Sequence, residues 1–222
     1  MSYVKTKICG VTRVEDAQMC IAAGADAIGI NFAPESPRYI GSLKKAEQLV
    51  RDANVTGKIV CAGVFVNAAL NEIHDAVNAA RLDIVQLHGD ESPDFVIRVR
   101  EQCKGAGLWK AFPIHSADDL KTLPDYDCDA WLLDAKTPGL RGGSGNTFDW
   151  NILSGMKHTR QVVLAGGIRI ENVARAVQLA RPDWIDVASG VESAPGMKQE
   201  RSVRELLRVV RGVHFIASLP AR

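Results

Sequence analysis

The sequence predicts an α/β protein, a single (β/α)8 TIM barrel spanning residues 1–222. Three observations carry that prediction. Short β-rich apolar runs alternate with segments of helical period, the pattern of βα units on a parallel sheet. The runs number eight. The 222 residues then leave about 28 per unit, near the roughly 31 of a 250-residue barrel. A doubly wound open sheet is the alternative on pattern alone. No low-complexity stretch or linker breaks the alternation, so one domain is expected.

The expected strands are Val4–Cys9, Ala27–Phe32, Lys58–Val66, Asp83–His88, Leu108–Phe112, Ala130–Asp134, Gln161–Ala165 and Trp184–Ser189. The helices between them carry their own signals. Thr12 with Glu15 reads as a capping box and Gly24 as a stop, which predicts a helix over Arg13–Ala23. Ser42 caps the second helix, and Asn67 opens a third with Leu70, Ile73, Val77 and Ala80 on one face. Ser92 followed by Pro93 opens the fourth. Ser116 caps a short fifth, and a weaker sixth follows Thr147. Ile170–Ala180 repeats an apolar face and stops before Pro182, while Val203, Leu206, Leu207 and Val210 mark the last helix.

Composition narrows the function classes. Hydrophobic residues at 46% and charged residues at 24% are globular values. The 27 Lys and Arg against 26 Asp and Glu give a net charge of +1, without the basic excess that accompanies nucleic-acid binding. The longest apolar run, Ile59 to Val66, falls far short of the roughly 18 residues of a membrane span, and the N-terminus has no apolar signal core. A soluble cytoplasmic protein is expected, with no nucleic-acid or membrane partner. Cys9, Cys20, Cys61, Cys103 and Cys128 contain no CxxC pair, and the histidines show no metal-ligand spacing, HExxH or Walker A motif. No metal and no cofactor are expected.

In such a barrel the C-terminal strand ends form the working face. That rule selects Cys9, Asn31, His88, Asp134, Gly166, Gly167, Ser189 and Gly190. The loops after the seventh and eighth strands are where barrels most often hold phosphate through backbone N–H groups. Small residues in one loop would mean only a tight turn; in both adjacent loops they point to a phosphorylated small-molecule substrate. Arg141–Gly145, including Gly143, offers a further loop open to an anion. A lone Cys at a strand end is ordinarily a small buried hydrophobe, and Cys20 and Cys61 fit that role. Cys9 differs by preceding Gly10 at a strand mouth, where a thiolate could serve as base or nucleophile if its pKa were lowered. Alternation turns Lys7 to the same side, where a buried ammonium needs a partner, and Asp186 on the eighth strand is the candidate. Asp134 follows an apolar run, so desolvation could suit it to general-acid work; a helix cap or loop carboxylate is the plainer alternative. Arg38 can grip a carboxylate with its planar fork, although a lone loop arginine is more often just solvated. His88 is a candidate supporting hydrogen bonder.

Taken in order, Lys7-Ile8-Cys9-Gly10, Ser36-Pro37-Arg38, Gln86-Leu87-His88-Gly89, Leu133-Asp134, Gly142-Gly143-Ser144-Gly145, Ala165-Gly166-Gly167 and Ser189-Gly190-Val191-Glu192 resemble the phosphoribosylanthranilate isomerase family of tryptophan biosynthesis. The resemblance runs from Lys7 to about Lys198. It implies a (β/α)8 barrel and a cofactor-independent Amadori rearrangement of N-(5′-phosphoribosyl)anthranilate to 1-(o-carboxyphenylamino)-1-deoxyribulose 5-phosphate. By the same resemblance Cys9 matches the general base, Asp134 the general acid, Arg38 the anthranilate carboxylate grip, and the glycines after strands six to eight the phosphate grip. Two positions depart from the family pattern. Ala188 stands where many members have a second serine, and Gln199 where an acidic residue is common; phosphate affinity is the property they bear on.

Two rival readings remain at this level. A Schiff-base aldolase would use Lys110 as an interior lysine on the fifth strand. A non-catalytic sugar-phosphate binding barrel would keep the anion loops without needing both Cys9 and Asp134. The oligomeric state is open, a monomer being the simpler expectation.

Overall fold

The computed structural model describes residues 3–134, 150–153, 156 and 159–213. The Arg141–Gly145 loop with Gly143, the helix start after Thr147, and His158 and His214 lie outside the described residues.

Eight parallel strands close into a barrel in sequence order: β1 (Lys5–Cys9), β2 (Ala27–Asn31), β3 (Val60–Phe65), β4 (Ile84–Leu87), β5 (Gly107–Pro113), β6 (Ala130–Asp134), β7 (Gln161–Ala165) and β8 (Trp184–Val187). The closing register sets Lys5 opposite Trp184 and Lys7 opposite Asp186. Around the barrel lie α1 (Val14–Ala23), α2 (Leu43–Asp52), α3 (Leu70–Ala80), α4 (Pro93–Gln102), α5 (Ile170–Ala180) and α6 (Glu200–Gly212). The β5–β6 connection is a 3₁₀ segment, Ala117–Asp125, and a shorter one, Trp150–Leu153, precedes β7. After β8 the chain makes a three-residue 3₁₀ turn, Ser189–Val191, and a small hairpin of β9 (Glu192–Ala194) and β10 (Met197–Lys198) before entering α6.

Several local signals act as read. Ser42 accepts from the Lys45 N–H at 3.2 Å, and Ser92 from Phe95 ahead of Pro93. Two others are overruled by tertiary contacts. Thr12 does not cap α1; its hydroxyl donates to the Gly196 carbonyl at 2.8 Å, and Arg13 occupies the cap position while pairing with Asp16. Asn67 does not open α3, which begins at Leu70. It sits at φ +49 and accepts from the Asp90 N–H at 2.8 Å, tying the β3 and β4 loops together. β3 and β8 are also shorter than the apolar runs that announced them: Lys58 and Ile59 belong to the turn before β3, where both N–H groups bond the Val55 carbonyl, and Val66, Ala188 and Ser189 to the turns that follow the strands.

Most of the apolar burial lies between the sheet and the helices, where Ile8, Ile28, Ile73, Val96, Leu164 and Leu206 are sealed from solvent. The barrel interior is a separate, smaller cluster that includes Trp109, Trp184, Ala111, Leu132 and Val163. Trp109 and Trp184 meet edge to face with centroids 5.2 Å apart. Above them the interior turns polar: Lys7, Gln86 and Asp186 are all buried there. Apolar filling below and polar groups above direct the chemistry to the C-terminal strand ends.

Candidate active site

A cavity of about 480 Å³ opens at those strand ends, lined among others by Cys9, Arg38, His88, Asp134, Gly166 and Ser189. Each side chain arrives there by strand alternation or by its βα loop. Cys9 ends β1, His88 follows β4 and Asp134 ends β6, so all three face inward.

Beneath the cavity lies Lys7, with no exposed surface. Its Nζ donates to Asp186 Oδ1 at 2.9 Å, to Gln86 Oε1 at 2.8 Å and to Cys9 Sγ at 3.2 Å. All three ammonium protons are thereby satisfied, and the expected Lys7–Asp186 pair is present. Burial alone would push Lys7 down; the charges of Asp186 and Cys9 outweigh it and hold the ammonium above the ordinary lysine value. Cys9 departs from the expected lowered pKa. Burial, reinforced by Asp186, pushes its thiol up, and Lys7 and Lys198 offset only part of that. Gly29 on β2 makes room for this pair, since a Cβ there would come within 2.9 Å of Cys9 Sγ and 3.0 Å of Lys7 Cε.

Arg38 crosses the backbone of Gly10, where a Cβ would fall 2.3 Å from the arginine Cδ and φ is +74. Side-chain size and backbone conformation therefore both require glycine at that position. Arg38 is not simply solvated: its Nε and Nη2 hold Glu192 at 2.6 to 3.1 Å. Lys198 Nζ donates to the same carboxylate at 2.7 Å and also to the Cys9 carbonyl. Asn31, by contrast, turns its Oδ1 back to the Ala33 N–H at 2.8 Å and braces its own loop.

Gly166 and Gly167 follow β7 at φ +84 and +64, and Asn172 donates to the Gly167 carbonyl at 2.9 Å. Gly190 lies against this loop so closely that a Cβ would stand 2.1 Å from the Ile168 carbonyl oxygen. The β7 and β8 loops are thus packed backbone to backbone. Ala188 lines the cavity beside Ser189, whereas Gln199 sits at the start of α6 and accepts from the Ser202 hydroxyl at 2.6 Å.

Lys110 corrects an expectation. It alternates with the inward-facing Trp109 and Ala111, so it points out of the barrel, where it pairs with Glu91 at 3.2 Å and donates to the Gly89 and Ala111 carbonyls at 2.8 Å. Schiff-base chemistry in the cavity cannot use it. Sequence reasoning gave no role to Gln86 or Glu192, although both lie in the quoted motifs. Gln86 could have been found by the alternation that turned Lys7 inward. Glu192 had no such signal, because its contact with Arg38 joins loops 154 positions apart. Among the described residues no group of three or more His, Cys, Asp or Glu side chains could hold a metal ion, and no helix is long and apolar enough to cross a membrane.

Comparison with known proteins agrees with this fold. The family model described as N-(5′-phosphoribosyl)anthranilate (PRA) isomerase matches residues 6–209. The N-(5′-phosphoribosyl)anthranilate isomerase of Citrifermentans bemidjiense is 42% identical over 212 residues, covering 96% of this chain and 99% of that one. The crystal structure of phosphoribosyl anthranilate isomerase from Thermotoga maritima superposes with a TM-score of 0.84 at 36% identity, covering 94% of this chain and 99% of the other. Another structure of the isomerase, in complex with reduced 1-(o-carboxyphenylamino)-1-deoxyribulose 5-phosphate, gives 0.79 at 32% identity with the same coverage. A closed eight-stranded barrel, a polar cavity at its C-terminal end and matches over nearly the whole chain lead to one conclusion: the chain belongs to the N-(5′-phosphoribosyl)anthranilate isomerase family, enzymes of tryptophan biosynthesis.

Proposed function

We propose that Cys9 and Asp134 carry out the Amadori rearrangement of N-(5′-phosphoribosyl)anthranilate as general base and general acid. The observation that carries this reading is their presence on the wall of one cavity, which also receives Arg38 and the two small-residue loops. Asp134 gives its proton to the furanose ring oxygen as the C1′–O bond breaks, and the anthranilate nitrogen lone pair forms the C1′ iminium. That iminium is the electron sink for the next step. Cys9 takes the C2′ proton, and the freed electron pair becomes the C1′–C2′ double bond of an enolamine while the iminium pair returns to nitrogen. Protonation at C1′ and loss of the enol proton give the ketone, and exchange with solvent resets both side chains. A thiol held high by burial is a strong base once it has lost its proton, and the adjacent Lys7 ammonium favours that loss.

Substrate binding follows from the same cavity. Glu192 occupies the Nε edge of Arg38, so the outer edge of the guanidinium remains to meet the anthranilate carboxylate. The backbone around Gly166, Gly167, Ser189 and Gly190 accepts the phosphate, in the loops where barrels of this kind hold anions. Ala188 contributes no hydroxyl there, so the phosphate relies on Ser189 and backbone N–H groups.

The direct test is conversion of freshly prepared phosphoribosylanthranilate, followed by loss of its anthranilate fluorescence, for wild type, Cys9→Ala and Asp134→Asn. Each substitution should lower turnover by about 10²- to 10⁴-fold. Near wild-type turnover in both variants would overturn the assignment.

A further inference from the structure

Five side chains form an unbroken hydrogen-bonded line along the floor and wall of the cavity from Cys9 to Asp134. Lys7 joins Cys9 to Gln86, Gln86 Nε2 meets His88 Nδ1 at 2.9 Å, and His88 Nε2 meets Asp134 Oδ2 at 3.1 Å. The chemistry of one end dictates the proton positions along the rest. An ammonium only donates, so the Gln86 atom 2.8 Å from Lys7 Nζ must be the carbonyl oxygen. The amide orientation is then fixed, and its NH₂ faces His88. An amide nitrogen cannot accept, so His88 Nδ1 must present a lone pair. The single proton of the imidazole therefore sits on Nε2 and is directed at Asp134 Oδ2. Gln86 has no exposed surface, so water cannot replace it in this role.

We propose that Gln86 is a positioning residue: oriented by Lys7, it locks His88 in the Nε2–H tautomer, and His88 in turn holds the Asp134 carboxyl in place. This rests on the acid role of Asp134 proposed above. With an N–H donated to Oδ2, that oxygen acts as the carbonyl-type acceptor and the acidic proton is carried on Oδ1. A Gln at this position is thus specific. Glutamate would keep the bond to Lys7 but could only accept from His88, which would move the imidazole proton to Nδ1 and turn a lone pair toward Asp134. Methionine would keep the bulk and remove both hydrogen bonds.

Nitrogen-15 NMR of the ligand-free protein near neutral pH reads the tautomer directly, with the His88 signals identified by their absence in His88→Asn. Wild type should show the Nε2–H form, Gln86→Glu the Nδ1–H form, and Gln86→Met a mixture. In steady-state assays both Gln86 variants should lose at least about tenfold in kcat, as a misplaced imidazole proton does in other acid–base sites. KM should stay within about twofold, since both substitutions act on the imidazole proton and leave the arginine and the anion loops unchanged. A wild-type His88 in the Nδ1–H form overturns the proposal without any variant. So does a Gln86→Glu protein that keeps the Nε2–H form, or one that inverts the tautomer and keeps kcat within about twofold of wild type. If Gln86→Glu does not fold, Gln86→Met is decisive by the same two measurements. Failure of the underlying reading looks different: Asp134→Asn would turn over at the wild-type rate while the tautomer result stood unchanged.

Discussion

Among the described residues two lysines of the barrel strands themselves are buried, and they do opposite things. Lys7 on β1 and Lys110 on β5 each pair with a buried carboxylate, Asp186 at 2.9 Å and Glu91 at 3.2 Å. Strand alternation separates them. Lys7 points into the barrel, and its remaining donors serve Cys9 and Gln86, two side chains of the site. Lys110 points outward, and its remaining donors hold the Gly89 and Ala111 carbonyls. Glu91 completes that outer clasp by accepting from the Gly89 and Asn67 N–H groups at 2.9 to 3.1 Å, which ties the loops after β3 and β4 to the outside of β5. A buried ammonium is therefore no sign of catalysis by itself. What matters is whether its hydrogen bonds end on reactive side chains or on backbone.

The largest predicted effects separate the two lysines directly. Lys7→Met and Lys110→Met should each lower unfolding free energy by about 3–5 kcal/mol, because each leaves a buried carboxylate without the cation that neutralises it. Asp186→Asn should also cost stability, for the converse reason. Turnover should divide them. Lys7→Met should reduce kcat by about a hundredfold, since the Cys9 thiol loses the adjacent charge that offsets its burial. Folded Lys110→Met should keep kcat within about twofold. Denaturant titration and the fluorescence assay on the same samples measure both quantities. Equal losses of kcat in the two variants would remove the distinction.

This contrast also marks how far the sequence could be read. The barrel was legible because each strand announced itself as an apolar run; the strand-end rule then selected Cys9 and Asp134, and alternation turned Lys7 to the side of Cys9, with Asp186 as its candidate partner. The same rule, applied to Lys110, would have turned it outward: Trp109 and Ala111 are its neighbours, and both face the interior. The aldolase reading failed for want of that step. Thr12 and Asn67 failed for another reason. Their side chains have the chemistry of helix caps, but partners at Gly196 and Asp90 compete for the same groups, and local sequence carries no record of such distant contacts. The grip of Glu192 on Arg38 was invisible for the same reason. Arg38 could be named from its motif, but not the carboxylate that already holds one of its edges.

Arg38 extends the comparison to a cation that is only partly buried, with 20% of its side chain exposed. Unlike either lysine, it keeps one guanidinium edge outside its ion pair, the edge proposed above to meet the anthranilate carboxylate. Arg38→Met should raise KM by about 10- to 100-fold, the worth of one charge-assisted hydrogen-bonded contact. It should cost little stability, because Glu192 keeps its bond to Lys198. A KM within about twofold of wild type would show that the anthranilate carboxylate is held elsewhere.

The smallest effect is the pH dependence that Glu192 contributes. Burial pushes its carboxyl up, but the hydrogen bonds from Arg38 and Lys198, with their charges, outweigh this and hold it below the ordinary glutamate value of 4.5. A carboxyl depressed in the folded state binds its proton more readily in the unfolded chain, so its contribution to stability is complete above the unfolded value. The contribution is lost as pH falls from about 4.5 through the lower folded value. Glu192→Gln lacks it at every pH. The stability gap between wild type and Glu192→Gln should therefore be constant from neutral pH down to about 5 and narrow below that. Denaturant titrations across this range measure the gap. One that widened in acid would mean that the folded protein holds Glu192 protonated more readily than the unfolded chain does, the reverse of a carboxylate shared by Arg38 and Lys198.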